Sequence, residues 1–495
     1  MMKTKATKFV MLLAAGLTIA TSSCKKDFQT TNTNPNGVVA ALPENLLQPA
    51  LYDVVSRNNT RALRLTHELM QVHVTVSDGD DIQRYLVRPS ESDYEWTNWY
   101  IQLNNFRDMY NKAVTLKQTT YQGIALICDA YVSSLLTDTF GDVPYFDAVK
   151  GQDGTLQPKF DKQQDIYADL FKKLEAANTL LATGTALTDD QLTLDPMYGK
   201  QLGAGQSAAT IASWRKFGNS LYLRLLMRAS GRPESNAIAK IKEMINTSPA
   251  NYPIISSNTE SAIIKYTGST VPLINPFYTY RDFDFTTGNS MTEFFINTLN
   301  NWNDPRRAKW ASTVAGGTYL GVPSGFPRGQ VPERQSAYLT TLKVEPLLGN
   351  ILSYAEVQFI LAEAALKGYI TGDPATYYNN GVTNAITMWG LTVPANYFSN
   401  PALAWNPAGV TEAKLEQIML QKYYTFFFTD FQSWYEYRRT GHPALPKGSG
   451  LLNGGLMPSR LYYPVFTQSF NPANYAAAVA TQGADDLNTK VWWNK

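Results

Sequence analysis

From Ser353 to Gly368 the chain reads SYAEVQFILAEAALKG, with Val357, Ile360, Leu361 and Ala364 at helical spacing. Ser353 with Glu356 three residues on predicts a capping box: the hydroxyl takes one free backbone N–H and the glutamate reaches back to another. Gly368 supplies the left-handed residue that closes many helices. Ala355, Ala362, Ala364 and Ala365 leave room for a second helix to pack closely, so the stretch predicts half of a helical hairpin. The same periodicity predicts helices near 45–57, 60–76, 96–117, 120–138, 163–183, 209–230 and 235–247. It resumes at 353–368 and recurs near 374–389 and 411–430. The fold class expected is all-α, built from irregular helical pairs.

Between about 250 and 350 the pattern changes, with 8 of the chain's 26 prolines. Tyr252, Tyr266, Tyr278, Tyr280, Trp302, Trp310 and Tyr319 fall in the same stretch. A long irregular segment in a compact protein is usually functional or disordered, and such aromatic density argues against disorder. From Gly441 to the end the chain is again loop-rich and is expected to pack back on the helices. Antiparallel pairs of this size are those of tetratricopeptide-type repeats, although no clean 34-residue signature recurs.

The amino end follows another logic. A short basic start precedes the twelve-residue run Phe9–Ala20, enough for a signal-peptide core but too short to span a bilayer. Thr21-Ser22-Ser23-Cys24 then suggests bacterial lipoprotein processing, with Cys24 becoming the acylated N-terminus. The alternative is an ordinary signal peptide with an incidental cysteine. The expected layout is a leader over 1–23, a polar tether over 24–44 and a single domain over 45–495. No later run reads as long enough to cross a membrane, so the protein is expected to be anchored rather than spanning.

At 495 residues, with 44% hydrophobic and 17% charged residues, the chain can bury a large core. Removing Lys3, Lys5 and Lys8 with the leader takes the formal net charge from +2 to −1, which implies no basic surface for nucleic acid. Acylation of Cys24 would leave Cys128 unpaired; it sits on the stripe Ile124, Ile127, Tyr131, Leu135 and reads as a small core residue. Twelve per cent aromatic residues suits either a large core or a surface that stacks on ring-shaped ligands.

Six segments together resemble the SusD/RagB-type nutrient-binding lipoproteins of the Bacteroidetes outer membrane, in the branch with NTNPN near the start. They are TSSCKKDF with NTNPN, TDTFGDVPYFDA, WRKFGNSLYLRLLMR, SYAEVQFILAEAALKG, SWYEYRRTGHPAL and SRLYYPVFTQSFNPANY. The resemblance implies a tetratricopeptide-like helical scaffold over about 45–250 and 350–440, with a loop-rich ligand-facing region between. It also implies a lipid-anchored, surface-exposed protein lying over a SusC-like TonB-dependent transporter, and Lys25, Lys26 and Asp27 follow the cysteine as in exported members. Arg438, Arg439, Trp434 and Gly141-Asp142-Val143-Pro144 would be framework. The family's binding arc draws aromatic residues from the loop before an early helix and from the mid-chain region. The corresponding candidates are Trp96, Tyr278, Tyr280, Trp302 and Trp310, with Arg281 and Asp304 as hydrogen-bonding neighbours; Trp99 is read as a helix anchor. Oligosaccharide is the expected ligand, with peptide or another polymer fragment as the alternative.

Other chemistries have thinner footing. Ser213-x-x-Lys216, with Ser257-Asn258 and Lys447-Gly448-Ser449 later, has the spacing of penicillin-recognising serine enzymes, but Ser213 also reads as a helix N-cap. A lipid-anchored hydrolase is therefore one rival, and a structural lid without affinity another. His67, His73 and His442 lack zinc-enzyme spacing. Asp282, Asp284, Thr286 and Glu293 fall at EF-hand positions, but Thr287 stands where the turn needs glycine. The expectation is a binding protein with no cofactor, no metal and no catalytic residues.

Overall fold

The computed structural model describes residues 41–495, so the leader, Cys24 and most of the segment read as tether lie outside the described residues. Eleven helices reach nine residues or more: α1 Pro43–Arg61, α2 Asp93–Thr115, α3 Thr119–Phe140, α4 Gln163–Ala182, α5 Ser207–Ala229, α6 Glu293–Trp302, α7 Tyr354–Leu366, α8 Pro374–Thr387, α9 Thr411–Thr425, α10 Gln432–Thr440 and α11 Pro472–Gln482. Strands among the described residues are two or three residues long and pair antiparallel. They are β1 His73–Thr75 with β5 Asn289–Met291, β2 Val143–Pro144 with β3 Phe160–Asp161, and β4 Ala262–Ile263 with β6 Asn350–Leu352. The all-α class stands, and Pro43–Lys495 forms one compact unit.

Consecutive helices pack as pairs: α1 on α2, α2 on α3, α3 on α4, then α7 on α8. Helix α5 lies against both α4 and α7 and so joins the two sets. Ala355, Ala362 and Ala364 of α7 are buried as their size suggested, Ala365 only partly, and α8 approaches so closely that a Cβ on Gly381 would lie 2.7 Å from the Phe359 ring. At the end of α7, Gly368 adopts φ +71°; its N–H donates to Ala365 O and that of Tyr369 to Ala364 O, closing the helix as its sequence predicts. Helix α3 is long and apolar enough to cross a membrane by length and composition, contrary to expectation. Its most apolar window is wholly buried in the protein, and Cys128 is buried on its stripe.

Several expectations are corrected. The helices placed at 45–57 and 60–76 are one continuous run: α1 starts at Pro43, inside the expected tether, and passes through a wide turn, Ala62–Thr66, into His67–Leu69. Asn58 and Asn59 looked like a break but are buried ligands of the core. Asn59 donates to Leu348 O at 2.7 Å, and Asn58 accepts from Trp99 Nε1 at 2.8 Å. Residues 73–75 are strand, not helix. Only half of the capping box forms: Ser353 Oγ accepts from the Glu356 N–H at 3.2 Å. The Glu356 carboxylate is instead taken by Arg224, which donates Nε and Nη2 at 2.6 Å each. The mid-chain region contains α6 and a short helix, Arg306–Trp310, and the C-terminal segment contains Val465–Phe470 and α11. Ser213 lies in the second turn of α5 and is not its N-cap.

Candidate functional site

Ribbon β1·β5 brings an early segment against the mid-chain region, pairing His73 with Met291 and Thr75 with Asn289. Above it opens a cavity of about 370 Å³, lined by Arg61, Arg64, Glu68, His73, Thr75, Tyr94, Tyr280, Asp284 and Asn289 among others. Its walls are the end of α1 with the turn after it, the ribbon, the first turn of α2, and the segment leading into β5. Tyr94 and Tyr280 give it aromatic faces. Tyr94 is 36% exposed; the Arg57 and Arg61 guanidiniums lie 5.5 and 5.6 Å from its ring centre, and Arg57 donates to its hydroxyl at 3.2 Å. Tyr280 is half-buried, its ring edge-on to Phe277 at 5.4 Å.

The charges around the cavity are largely matched. Arg61 pairs with Glu95 and, at 3.1 Å, with Glu91; Arg64 pairs with Asp80 and, at 3.2 Å, with Glu91. Asp284 is held by Arg281 through two bonds of 2.6 and 2.7 Å. Burial pushes the Glu95 carboxyl up to about 7, even with Arg61 beside it.

Below the cavity runs a buried chain whose hydrogen positions the donors fix. The Phe428 N–H donates to His67 Nε2 at 3.3 Å, so the His67 proton sits on Nδ1, 2.7 Å from the Tyr338 hydroxyl. That hydroxyl then donates to His73 Nδ1 at 2.7 Å, leaving the other His73 N–H on the side of Glu68, 3.8 Å from Oε1. Burial lowers His67 to about 3 and drives His73 well below the ordinary histidine range, with His67 and Arg64 adding to the effect on His73. A depressed folded value means stability that is full above about 6.5 and drains away as pH falls towards 3. The expected cost is up to about 1.4 kcal/mol per histidine for each pH unit below about 6.5. Glu95, near 7, and Asp430, raised by burial to about 6, act in the opposite direction, because each binds a proton more readily when folded. Subtraction isolates the histidine: between pH 6.5 and 5, wild type should lose more urea resistance than His67→Gln does. Parallel losses would show that His67 already carries its proton in the fold.

The sequence-selected residues divide. Tyr280 lines the cavity, Tyr278 is 44% exposed, and Arg281 is exposed beside Asp284. Trp96, Trp302, Asp304 and Trp310, read as ligand contacts, are interior. Trp310 is 0% exposed and stacked on Phe427 at 4.3 Å. Asp304 is bound by Arg306 at 2.7 Å and by the Tyr397 hydroxyl. Trp96 packs among Tyr100, Phe140, Phe160 and Tyr463. Trp302 ends the apolar stripe Phe295, Ile296, Leu299 of α6, its ring edge-on to Tyr424 at 5.1 Å, and only borders two cavities of about 220 and 440 Å³. Trp310→Ala should therefore cost about 3–5 kcal/mol of folding stability, read as a fall in the denaturation midpoint. An unchanged midpoint would return Trp310 to the surface. Trp99, by contrast, anchors α2 through Asn58.

Sequence reading missed Tyr94, two residues before Trp96 and turned outward where Trp96 turns in. It also gave no role in a site to Glu68, or to His73, whose partner Tyr338 lies 265 residues along the chain. The expected framework residues have structural partners: Arg439 binds Glu363 twice at 2.6 Å, and Trp434 Nε1 donates to Pro458 O at 2.8 Å. Ser213 Oγ donates to Ala209 O at 2.9 Å while Lys216 pairs with Glu260, so the two do not engage each other. Asp282 is paired with Lys343, and Asp284 with Arg281. Among the described residues, no group of three or more His, Cys, Asp or Glu side chains is placed to hold a metal.

Residues 35–464 match the family described as SusD-like_2, "Starch-binding associating with outer membrane". No curated protein matches the chain. Among solved structures, a chitin-binding protein is 26% identical with a TM-score of 0.74, covering 91% of this chain and 99% of its own. A SusD homologue from Bacteroides fragilis NCTC 9343 is 24% identical with a TM-score of 0.78, over 92% of this chain and all of its own. A chitin-binding SusD homologue from Flavobacterium johnsoniae is 21% identical with a TM-score of 0.77, over 92% of this chain and 98% of its own. At these last two identities the likeness is one of fold.

Proposed function

The chain belongs to the SusD-like family of starch-binding, outer-membrane-associated proteins, and on that premise we propose that it captures oligosaccharides in the cavity between Tyr94 and Tyr280. The observation that carries the reading is the meeting, in one cavity, of two partly open tyrosines with an otherwise charge-matched polar wall. A sugar ring offers a C–H face to an aromatic plane and hydroxyls to the polar groups around it. A tyrosine already held in place loses little freedom on binding. Tyr278 and Arg281, exposed on the same mid-chain segment, extend the contact along a longer ligand.

The protein acts as a receptor, not an enzyme: it is acylated at Cys24, held at the outer face of the outer membrane, and passes its ligand to a SusC-like TonB-dependent transporter. The chitin-binding relative supports a glycan as the cargo. The test is binding of the purified protein to an array of oligosaccharides beside a peptide library, followed by incubation of any hit with excess protein. Glycan binding without cleavage is expected. Peptide binding alone would move the cargo to another class, and released shorter sugars would make the protein a hydrolase.

A further inference from the structure

Past the last residue of α6 lies the cavity of about 440 Å³, between that helix end and the segment 394–401. It is separate from the first. The first borders Asn289, on the strand that leads into α6, and the ten residues of that helix, about 15 Å, stand between the two. Its wall is also of another kind. Asn303, Asn396, Asn400 and Ser399 supply amides and a hydroxyl, and among the described residues no acidic or basic side chain lines it. The neighbouring Asp304 is already taken up by Arg306 and by the Tyr397 hydroxyl.

The wall is held in place by its own bonds. Asn400 Nδ2 donates to Asn301 O at 2.7 Å, and its Oδ1 accepts the Ala402 N–H at 2.9 Å. Asn303 closes α6 at φ +51°, a backbone that asparagine tolerates and glycine adopts freely. Asn303 and Asn396 are exposed, and no partner among the described residues takes their side-chain amides. Each amide offers a donor and an acceptor, as does every hydroxyl of a neutral sugar. A charged sugar finds no counter-ion here. A peptide side chain finds neither a counter-charge nor an open aromatic face, since Trp302 and Tyr397 are 4% and 3% exposed. The volume is that of a small-ligand site, and without an open ring it holds sugar by hydrogen bonds, more weakly than the first.

We propose that this cavity is a second, weaker site for a neutral sugar residue, held through the side-chain amides of Asn303 and Asn396. The proposal rests on the glycan reading above. Maltohexaose, chitohexaose and the other uncharged sugars of the array are titrated by calorimetry, up to high concentration, into three proteins. These are wild type, the Tyr94→Ala/Tyr280→Ala variant, and that variant with Asn303→Gly and Asn396→Ala added. The tyrosine variant should keep one weak binding event per protein, and the two asparagine changes should weaken it by about tenfold or more. Both asparagines are exposed, so an unchanged melting temperature should show the fold intact. No residual binding in the tyrosine variant, while wild type binds, would overturn the proposal and leave the glycan reading standing. So would residual binding that the asparagine changes leave untouched. Residual binding stronger for oligogalacturonate or for a peptide library than for neutral sugars would also overturn it. No binding to any glycan by wild type removes both.

Discussion

Asp138→Ala is expected to lower folding stability by about 3–5 kcal/mol. Asp138 lies in the last turn of α3 at 0% exposure and is the shared acceptor of three elements. Its Oδ2 takes Arg228 Nη1 at 2.6 Å, and its Oδ1 takes both the Tyr167 hydroxyl and Trp493 Nε1 at 2.7 Å. Arg228 comes from α5, Tyr167 from α4 and Trp493 from the C-terminal end, so one carboxylate ties the end of the chain to the helical pairs. Alanine leaves a buried guanidinium with Gln432 at 2.6 Å and Glu436 at 3.4 Å, and strands a phenol and an indole N–H. Glu436 is itself engaged by Lys422 and Arg439, and Arg439 by Glu363, so the loss spreads through a connected set. Asp138→Asn, which keeps the acceptors and drops the charge, should fall between. Urea denaturation reads all three proteins, and an alanine variant within about 1 kcal/mol of wild type would mean the network is loosely coupled.

The second large effect is on binding. Replacing Tyr94 and Tyr280 together by alanine removes both aromatic faces of the cavity. Central aromatic contacts are commonly worth about 2 kcal/mol each, so affinity for the best oligosaccharide should fall at least about 100-fold. Both side chains are partly open to solvent, and the fold should survive their loss with a small change in melting temperature. The contrast with Trp310→Ala is the diagnostic one. That change strikes the core and stability first, whereas the tyrosine changes strike ligand first. A double variant that binds as wild type does would place the sugar elsewhere.

The helical scaffold was legible because its signals are local: apolar spacing, Ser353 at a cap, Gly368 at a stop. Where a second partner competes, the local rule was half right. Glu356 left the capping box because Arg224, buried on α5, takes both of its carboxylate oxygens. Asn58 and Asn59 fall between two helices predicted from sequence, since nothing in the sequence shows that Trp99, Tyr131, Tyr266 and Leu348 converge on them. The candidate cavity lies in the region the sequence pointed to, but of the ligand contacts read from sequence only Tyr280 lines it. Early-helix and mid-chain aromatics do meet, but tryptophan drew attention where size favours burial, and the smaller, amphipathic Tyr94 faces outward. The set Glu68, His73, Tyr338 and His67 is assembled across 271 residues of sequence, a separation at which spacing carries no signal.

Diffraction from crystals soaked in the best-binding oligosaccharide tests the glycan site most directly. Sugar rings should lie in the cavity over β1·β5, with a C–H face about 4 Å from Tyr94 or Tyr280. Ordered sugar beside Trp302 and Pro401, with the first cavity empty at saturating ligand, would contradict it.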